Sequence, residues 1–288
     1  MLKQRILTAL ILAPLAIAAI FLLPLQYFAG VLLAIVAIGA WEWGPLMGFD
    51  TKSRRIAFIS FICAAILALW YVVPPEQLWT LDGRINPIAM NILYASAIWW
   101  SVCIFMIFKY PRYSSLWTSH RSVRGLFGLI TLAPMWLAFL LIRSDNIMVS
   151  EYHGAYLLLL LFAFVWSADV GAYFAGKRFG KNKLMPNVSP GKTIEGFLGG
   201  NLAAAAVAVI AGLYYDWTIA QILIAVALAL LISMVSVVGD LTESMLKRQA
   251  GVKDSGSILP GHGGILDRID SLTATAPIFA LFYVLFGW

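Results

Sequence analysis

The chain alternates between long apolar runs and short polar stretches. The runs are roughly 17–25 residues long, the length that an α-helix needs to cross a hydrocarbon core about 30 Å thick. The pattern therefore predicts about nine transmembrane helices. They lie at Ile6–Leu23, Tyr27–Trp43, Ile56–Val73, Ile88–Phe108, Val123–Ile142, Tyr156–Ala175, Gly196–Tyr215, Ile219–Val238 and Ser271–Phe286.

The composition agrees with this pattern. Hydrophobic residues make up 61% of the 288 residues, and the mean hydropathy is +0.87. Soluble domains are only about 45–50% apolar. Lys3 and Arg5 precede the first run as in a signal peptide, but a second apolar run follows almost at once, so we expect the first run to be retained. We predict an all-α polytopic integral membrane protein.

Basic residues predict the orientation of the helices. With nine spans, 18 of the 20 Lys and Arg residues fall on one side of the membrane, and Arg84 and Arg143 fall on the other. Loops rich in Lys and Arg face the cytoplasm. The N-terminus is therefore predicted to be cytoplasmic and the C-terminus to lie on the outer side. This asymmetry accounts for most of the net charge of +6 without nucleic-acid binding.

Polar motifs divide the chain into two regions. Residues 1–150 hold the first five predicted helices and short loops with scattered charges. Residues 151–288 hold the other four helices, an acid within a span, and two long cytoplasmic loops. We expect the second region to carry the chemistry.

The segment Gly239–Asp270 has five carboxylates and four Lys or Arg residues, although only 12% of the chain is charged. Asp240, Glu243, Ser244 and Lys247 follow an i, i+3, i+4, i+7 spacing, so one helical face would carry them. Such a face could also be a solvated surface. Its crowded surroundings favour a site for metal ions and phosphates.

Asp267 and Asp270 form a second acidic pair. They are three residues apart at the predicted start of the last span, hence on one helical face. A helix N-terminus favours a carboxylate, so Asp270 could serve as a cap. Two acids from each of two helices would also make an all-oxygen site suited to Mg²⁺.

A glycine-rich stretch, Pro260-Gly261-His262-Gly263-Gly264, leads into that pair. Glycines let backbone N–H groups approach and cradle an anion, which predicts a phosphate loop here. His262 has no partner at metal-ligand spacing, so a hydrogen-bonding or acid–base role is favoured over zinc.

The earlier cytoplasmic loop contains Gly191-Lys192-Thr193, which invites comparison with a Walker A loop. Pro186 occupies the first glycine position of that motif, and no strand is expected before it. Three side chains ahead of the seventh span remain suitable hydrogen-bond donors to phosphate: Ser189, Lys192 and Thr193. The start of a helix also favours the binding of anions.

Asp169 lies within the sixth span. An ionisable residue there is costly, which makes Asp169 a functional candidate, with structural pairing to a Lys or Arg as the alternative. Together these residues predict metal-assisted phosphoryl or nucleotidyl transfer, on a lipid, at the cytoplasmic face. They identify neither the nucleotide nor the lipid.

The motifs resemble a known family. Ser244-x-x-Lys247-Arg248, Lys253-Asp254, the glycine-rich stretch and Asp267-Arg268-x-Asp270 are similar to the signature of the phosphatidate cytidylyltransferases (CDP-diglyceride synthases). Ser189-Pro190-x-Lys192-Thr193-x-Glu195-Gly196 and Asp169-x-x-Ala172-Tyr173 resemble two further motifs of that family.

The resemblance implies that CTP and phosphatidate give CDP-diacylglycerol and pyrophosphate. It implies one or two Mg²⁺ ions, with or without a monovalent cation. The implied metal ligands are Asp240, Asp267 and Asp270, with Glu243 and Asp169 as further candidates. The implied catalytic residues are Asp240, Asp267, Lys247 and His262. The implied substrate-binding residues are Ser189, Lys192, Thr193 and Glu195 for CTP, and Arg248, Lys253, Gly263, Gly264 and Arg268 in the later motif.

The resemblance also implies a homodimer in a bacterial-type inner membrane, with the active site facing the cytoplasm. Two alternatives remain at this point. One is a CTP-dependent transferase acting on another lipid, such as an ether lipid or a polyprenol. The other, from a different class, is an ion-coupled transporter using Asp169, which would have acids along a transbilayer path and repeated halves.

Overall fold

The computed structural model describes residues 2–49, 51–80, 83–118, 120–147, 149–259 and 263–286, without the side chains of residues 2–9. His262 and the C-terminal Trp288, for which we made predictions, lie outside the described residues. The helices are α1 Leu2–Leu22, α2 Leu25–Leu46, α3 Lys52–Val72, α4 Pro87–Lys109, α5 Ser115–Thr118, α6 Arg121–Ser144, α7 His153–Phe179, α8 Ile194–Tyr214, α9 Ile219–Ala250 and α10 Leu266–Phe286, with a short 3₁₀ helix at Pro75–Gln77.

Eight of these helices, α2, α3, α4 and α6–α10, are long and apolar enough to cross a membrane. The prediction of an all-α polytopic membrane protein is therefore confirmed. The first predicted span coincides with α1, whose apolar portion within the described side chains is the shorter segment Leu10–Leu22. A ninth span stays a prediction.

Local signals in the sequence set the helix ends. Thr218 and Gln221 form a reciprocal capping box at the start of α9. Gly251 ends α9 with a φ of 71°, a left-handed conformation that costs glycine little. The helix that carries Asp240 thus continues past the predicted span as far as Ala250, as the spacing of its charged residues indicates.

A β-hairpin departs from the prediction of a strandless loop after α7. Strand β1, Lys183–Met185, pairs antiparallel with β2, Ser189–Thr193. The carboxylate of Glu195, in the first turn of α8, accepts hydrogen bonds from the backbone N–H groups of Lys181 and Asn182 at 3.1 and 3.2 Å. These bonds hold the start of the hairpin against α8, an interaction that motif matching does not reveal.

Helices α7 and α8 approach closely through small residues. A Cβ atom added to Gly196 would meet the carbonyl oxygen of Ala172 at 2.9 Å, and one added to Gly200 would meet that of Ala168 at 2.7 Å. Glycines spaced as Gly196-x-x-x-Gly200 allow membrane helices to pack this closely. The close contact fixes the position of the hairpin relative to α7.

Helix α6 connects the two regions of the chain. Its buried face runs from Thr131 to Ser144, and the indole N–H of Trp136 donates to the carbonyl of Ala29 in α2 at 3.0 Å. At the end of α6, the Tyr283 hydroxyl of α10 donates to Asp145 Oδ2 at 2.6 Å. Both regions therefore belong to one packed body of helices.

Candidate functional site

The charged residues of the later motifs gather on two sides of α9. On one side they line an α7–α9 cleft, formed by α7, the hairpin, α8 and α9. On the other side they form an α9–α10 ion network of Glu243, Lys247 and Asp267.

The α7–α9 cleft has a volume of about 380 Å³, within the range of roughly 300–1,000 Å³ typical of small-molecule sites. Asp169, Lys192, Thr193 and Asp240 line it. Lys192 Nζ lies 2.8 Å from Asp240 Oδ2, and both side chains are partly exposed. The structure thus brings together four predicted residues from three separate parts of the sequence.

The end of β2 leads directly into α8 at this cleft. The Thr193 hydroxyl accepts a hydrogen bond from the N–H of Gly196 at 3.1 Å and so caps α8. Lys192 extends from the same turn into the cleft. A cation beside the positive end of a helix dipole favours the binding of phosphate.

The α9–α10 ion network is more deeply buried. Lys247 Nζ lies 2.6 Å from Asp267 Oδ1 and 3.0 Å from Glu243 Oε2. The three side chains are 13%, 7% and 4% exposed, so water screens these charges little. Lys247 therefore balances carboxylates from both helices, of which the helical-face argument anticipates only Glu243, on its own helix.

The turn at Gly263-Gly264 closes around Asp267. Asp267 Oδ2 accepts hydrogen bonds from the N–H groups of Gly264 at 2.8 Å and Ser255 at 3.0 Å. Gly263 has a φ of +84°, and a Cβ atom there would meet Asp267 Oδ2 at 2.7 Å. The N–H groups of Gly264 and Ser255 thus donate to a carboxylate of the protein itself.

Asp270 extends the acidic surface along α10. Its carboxyl group lies near enough to those of Glu243 and Asp240 for their charges to interact. Glu243 Oε1 is buried and receives no hydrogen bond from the described residues. Neighbouring carboxylates require a cation or a shared proton to offset their repulsion.

Other predicted residues have different surroundings. Arg248 is exposed and its Nε donates to the carbonyl of Val188, on the hairpin turn, at 3.4 Å. Lys253 is exposed, and Arg268 lies near enough to Asp169 for their charges to interact. Ser189 begins β2, and the Glu195 carboxylate binds the start of the hairpin. The prediction for His262 falls outside the described residues.

Glu42 of α2 is a residue that the sequence reasoning missed. Its side chain is 2% exposed, and Oε2 accepts a hydrogen bond from the N–H of Leu266 at 2.7 Å. The rule that singled out Asp169, an ionisable residue within an apolar span, applies equally to Glu42. That signal was present in the first region of the chain, where no motif drew attention to it.

Carboxylate oxygens near the two sides of α9 suit a hard cation. Among the described residues, no three Asp, Glu, His or Cys side chains form a group that could hold a metal ion by themselves. Mg²⁺ is commonly bound by one or two carboxylates together with substrate phosphates and water. Two observations fit such a shared site. The site has more carboxylates than Lys192 and Lys247 can neutralise, and Glu243 Oε1 receives no hydrogen bond from the described residues.

Comparisons with known proteins cover the whole chain. The model of the cytidylyltransferase family matches residues 3–286. A Pseudomonas aeruginosa protein named phosphatidate cytidylyltransferase is 41% identical over 288 residues, 100% of this chain and 99% of that protein. Proteins of the same name from Haemophilus influenzae and Staphylococcus saprophyticus are 39% and 32% identical, each over 98% of this chain and 99% of their own length.

Proposed function

The chain belongs to the cytidylyltransferase family, and we propose that it makes CDP-diacylglycerol and pyrophosphate from CTP and phosphatidate. The observation that carries this proposal is the cleft in which Lys192, near the end of β2, meets Asp240 of α9. A phosphate-binding cation and a carboxylate lie there side by side, next to the α9–α10 ion network. Nucleotidyl transfer needs both charges, because anionic reactants must be neutralised and held in line.

In the reaction, an oxygen of the phosphatidate phosphate forms a bond to the α-phosphorus of CTP. The bond between that phosphorus and the oxygen bridging to the β-phosphorus breaks, and the electron pair leaves with pyrophosphate. Lys192 and the N–H groups at the start of α8 bind the triphosphate. The lipid headgroup approaches from the membrane surface, where Lys253 and Arg268 attract its charge.

We further propose that Mg²⁺ assists the reaction. Asp240 and Asp270 would hold it, with Glu243, Asp169 and Asp267 close by; the oxygens of Asp267 are shared with Lys247 and two backbone N–H groups. When bound, the ion offsets charge on the attacking and leaving oxygens. Lys247 keeps the neighbouring carboxylates from repelling the incoming phosphates.

The proposed setting is a bacterial inner membrane with the cleft on the cytoplasmic side. The asymmetry of Lys and Arg supports this orientation, and CTP is available on that side. We also propose a homodimer, which rests on the resemblance to the family. Cross-linking of the protein in native membranes, followed by mass measurement of the detergent-solubilised species, tests that state.

A turnover assay tests the proposed reaction. Purified protein in detergent is given CTP, phosphatidate and Mg²⁺, and both CDP-lipid and pyrophosphate are measured. We expect equal amounts of the two products, no product with ATP in place of CTP, and loss of activity with EDTA that Mg²⁺ reverses. Product formed only with an ether-lipid phosphate or a polyprenyl phosphate would replace phosphatidate as the acceptor.

A further inference from the structure

We infer that Glu42, on α2, is a positioning residue for this reaction, because it holds the loop and the helix start that carry Asp267. The inference rests on the proposed function. It gives the first region of the chain a part in the chemistry. Glu42 does not line the cleft, which is formed by α7, the hairpin, α8 and α9. Glu42 therefore acts through other residues.

The carboxylate of Glu42 occupies the N-terminus of α10. Its Oε2 accepts from the N–H of Leu266, the first residue of that helix, at 2.7 Å, and the N–H of Ile265 also faces the carboxylate. The first N–H groups of a helix have no partner within the helix, and a negative charge beside them is favourable. Glu42 thus supplies a cap to α10 from a different helix, α2.

The capped residue, Leu266, is adjacent to Asp267, the acid that pairs with Lys247. Asp267 follows Leu266 directly, so the bond from Glu42 to Leu266 fixes the first turn of α10 and the direction of the Asp267 side chain. Asp267 can then reach Lys247 Nζ, at 2.6 Å, and the N–H of Gly264, at 2.8 Å, at the same time. A shift of the turn would weaken both contacts.

Ser255 provides a second connection between the two acids. Its hydroxyl donates to Glu42 Oε2 at 3.4 Å, and its backbone N–H donates to Asp267 Oδ2 at 3.0 Å. Ser255, in the loop that follows α9, is therefore held between a carboxylate from α2 and a carboxylate from α10. Glu42 therefore positions Ser255 directly and Asp267 through Leu266.

Two glycines keep the space that Glu42 occupies. A Cβ atom added to Gly256 or to Gly264 would collide with the Glu42 carboxylate. Neither glycine has a positive φ, so conformational freedom does not explain them. The backbone at both positions instead passes close to Glu42, and a side chain there would displace it.

The test compares Glu42→Gln with the wild type and with a matched control, Glu76→Gln, in which an exposed acid of the first region is changed. Gln keeps the shape of the side chain and one acceptor oxygen, which can still face Leu266 and Ser255. The substitution therefore removes the negative charge beside the start of α10 and replaces charged hydrogen bonds by neutral ones. We expect kcat to fall by about tenfold to a hundredfold, the loss typical of a charged hydrogen bond. KM for CTP should stay within about twofold, because the cleft is untouched.

A second variant, Gly256→Ala, displaces the Glu42 carboxylate without changing its charge, and we expect the same division between kcat and KM. Hydrogen exchange gives a readout independent of turnover. In Glu42→Gln the amides of Ser255, Gly264, Leu266 and Asp267 should exchange faster, while those of α7 and α8 should not change. Glu76→Gln should match the wild type in every measurement.

A kcat of Glu42→Gln within about twofold of the wild type would overturn the inference. A loss of kcat accompanied by an equal rise in KM and faster exchange throughout the helices would also overturn it, since that result means general destabilisation. Absence of turnover in the wild type would instead contradict the proposed function. The two failures are therefore distinguishable.

Discussion

Lys247 of α9 and Asp267 of α10 form a buried ion pair in which Nζ lies 2.6 Å from Oδ1. Lys247 also contacts Glu243, at 3.0 Å, so one cation serves two carboxylates on different helices. The pair therefore joins the two helices that carry Asp240 and Asp270. Its two members are not equivalent, because only the loss of Lys247 leaves two buried acids together.

We predict that Lys247→Met destabilises the protein more than Asp267→Asn does. Removing one partner of a buried pair costs about 3–5 kcal/mol when an uncompensated charge remains. In Asp267→Asn, Lys247 keeps Glu243 as its partner. Thermal unfolding in detergent should place the melting temperature of Lys247→Met lowest, by roughly 10 °C. Lys52→Met, at an exposed position, is the control; equal melting temperatures for all four proteins would contradict the prediction.

Asp267→Asn should nearly abolish turnover in protein that remains folded. The amide keeps the shape of the side chain but removes a negative charge at the centre of the ion network. We expect kcat to fall by at least about a hundredfold, the loss typical of removing one electrostatic contribution to catalysis. The measurement is CDP-lipid formation on samples matched for melting behaviour. Full activity would remove Asp267 from the catalytic residues.

Loss of the ion pair between Lys192 and Asp240 should impair substrate binding and leave stability almost unchanged. Its side chains are 27% and 35% exposed, and exposed pairs contribute only about 0–1 kcal/mol to stability. Lys192→Met should therefore leave the melting temperature within about 2 °C of the wild type. It should raise KM for CTP by about tenfold or more, because the triphosphate loses a cation. Lys183→Met, at an exposed position of β1, should change neither value.

Gly171 should be sensitive to any side chain because of the close approach of α7 and α8. A Cβ atom there would meet Ala203 Cβ at 2.6 Å and the carbonyl oxygen of Gly199 at 2.7 Å. Gly171→Val should push the helices apart and lower the melting temperature and the yield of folded protein. Gly30→Val, at a position with no neighbouring atom within 4 Å of an added Cβ, is the matched control. Similar behaviour of the two variants would argue against tight packing of α7 and α8.

The transmembrane helices and the main charged positions could be predicted from the sequence. Hydrophobic runs locate helices because the bilayer imposes their length, and helical spacing places Asp240 and Lys247 on one face. The partners of these charges could not be predicted. Lys247 could equally have faced a phosphate, and only the packing of α10 against α9 gives it Asp267.

Glu42 and Glu195 show why the other contacts of the site could not be predicted from the sequence. Glu42 contacts Leu266, 224 residues further along the chain, and no local periodicity records such a contact. Glu195 matches a substrate-binding motif, yet its oxygens accept from Lys181, Asn182 and the Asn182 amide. A motif identifies which residues matter, whereas packing decides whether a residue touches the substrate or the backbone beside it.

Label transfer from CTP tests the central claim most directly. Purified protein is incubated with phosphatidate and CTP carrying ³²P at either the α- or the γ-position, and the lipid is extracted and counted. Cytidylyl transfer predicts that α-label appears in the lipid and that γ-label appears only in released pyrophosphate. Label from the γ-position in the lipid, or no label in the lipid from either position, would contradict the account.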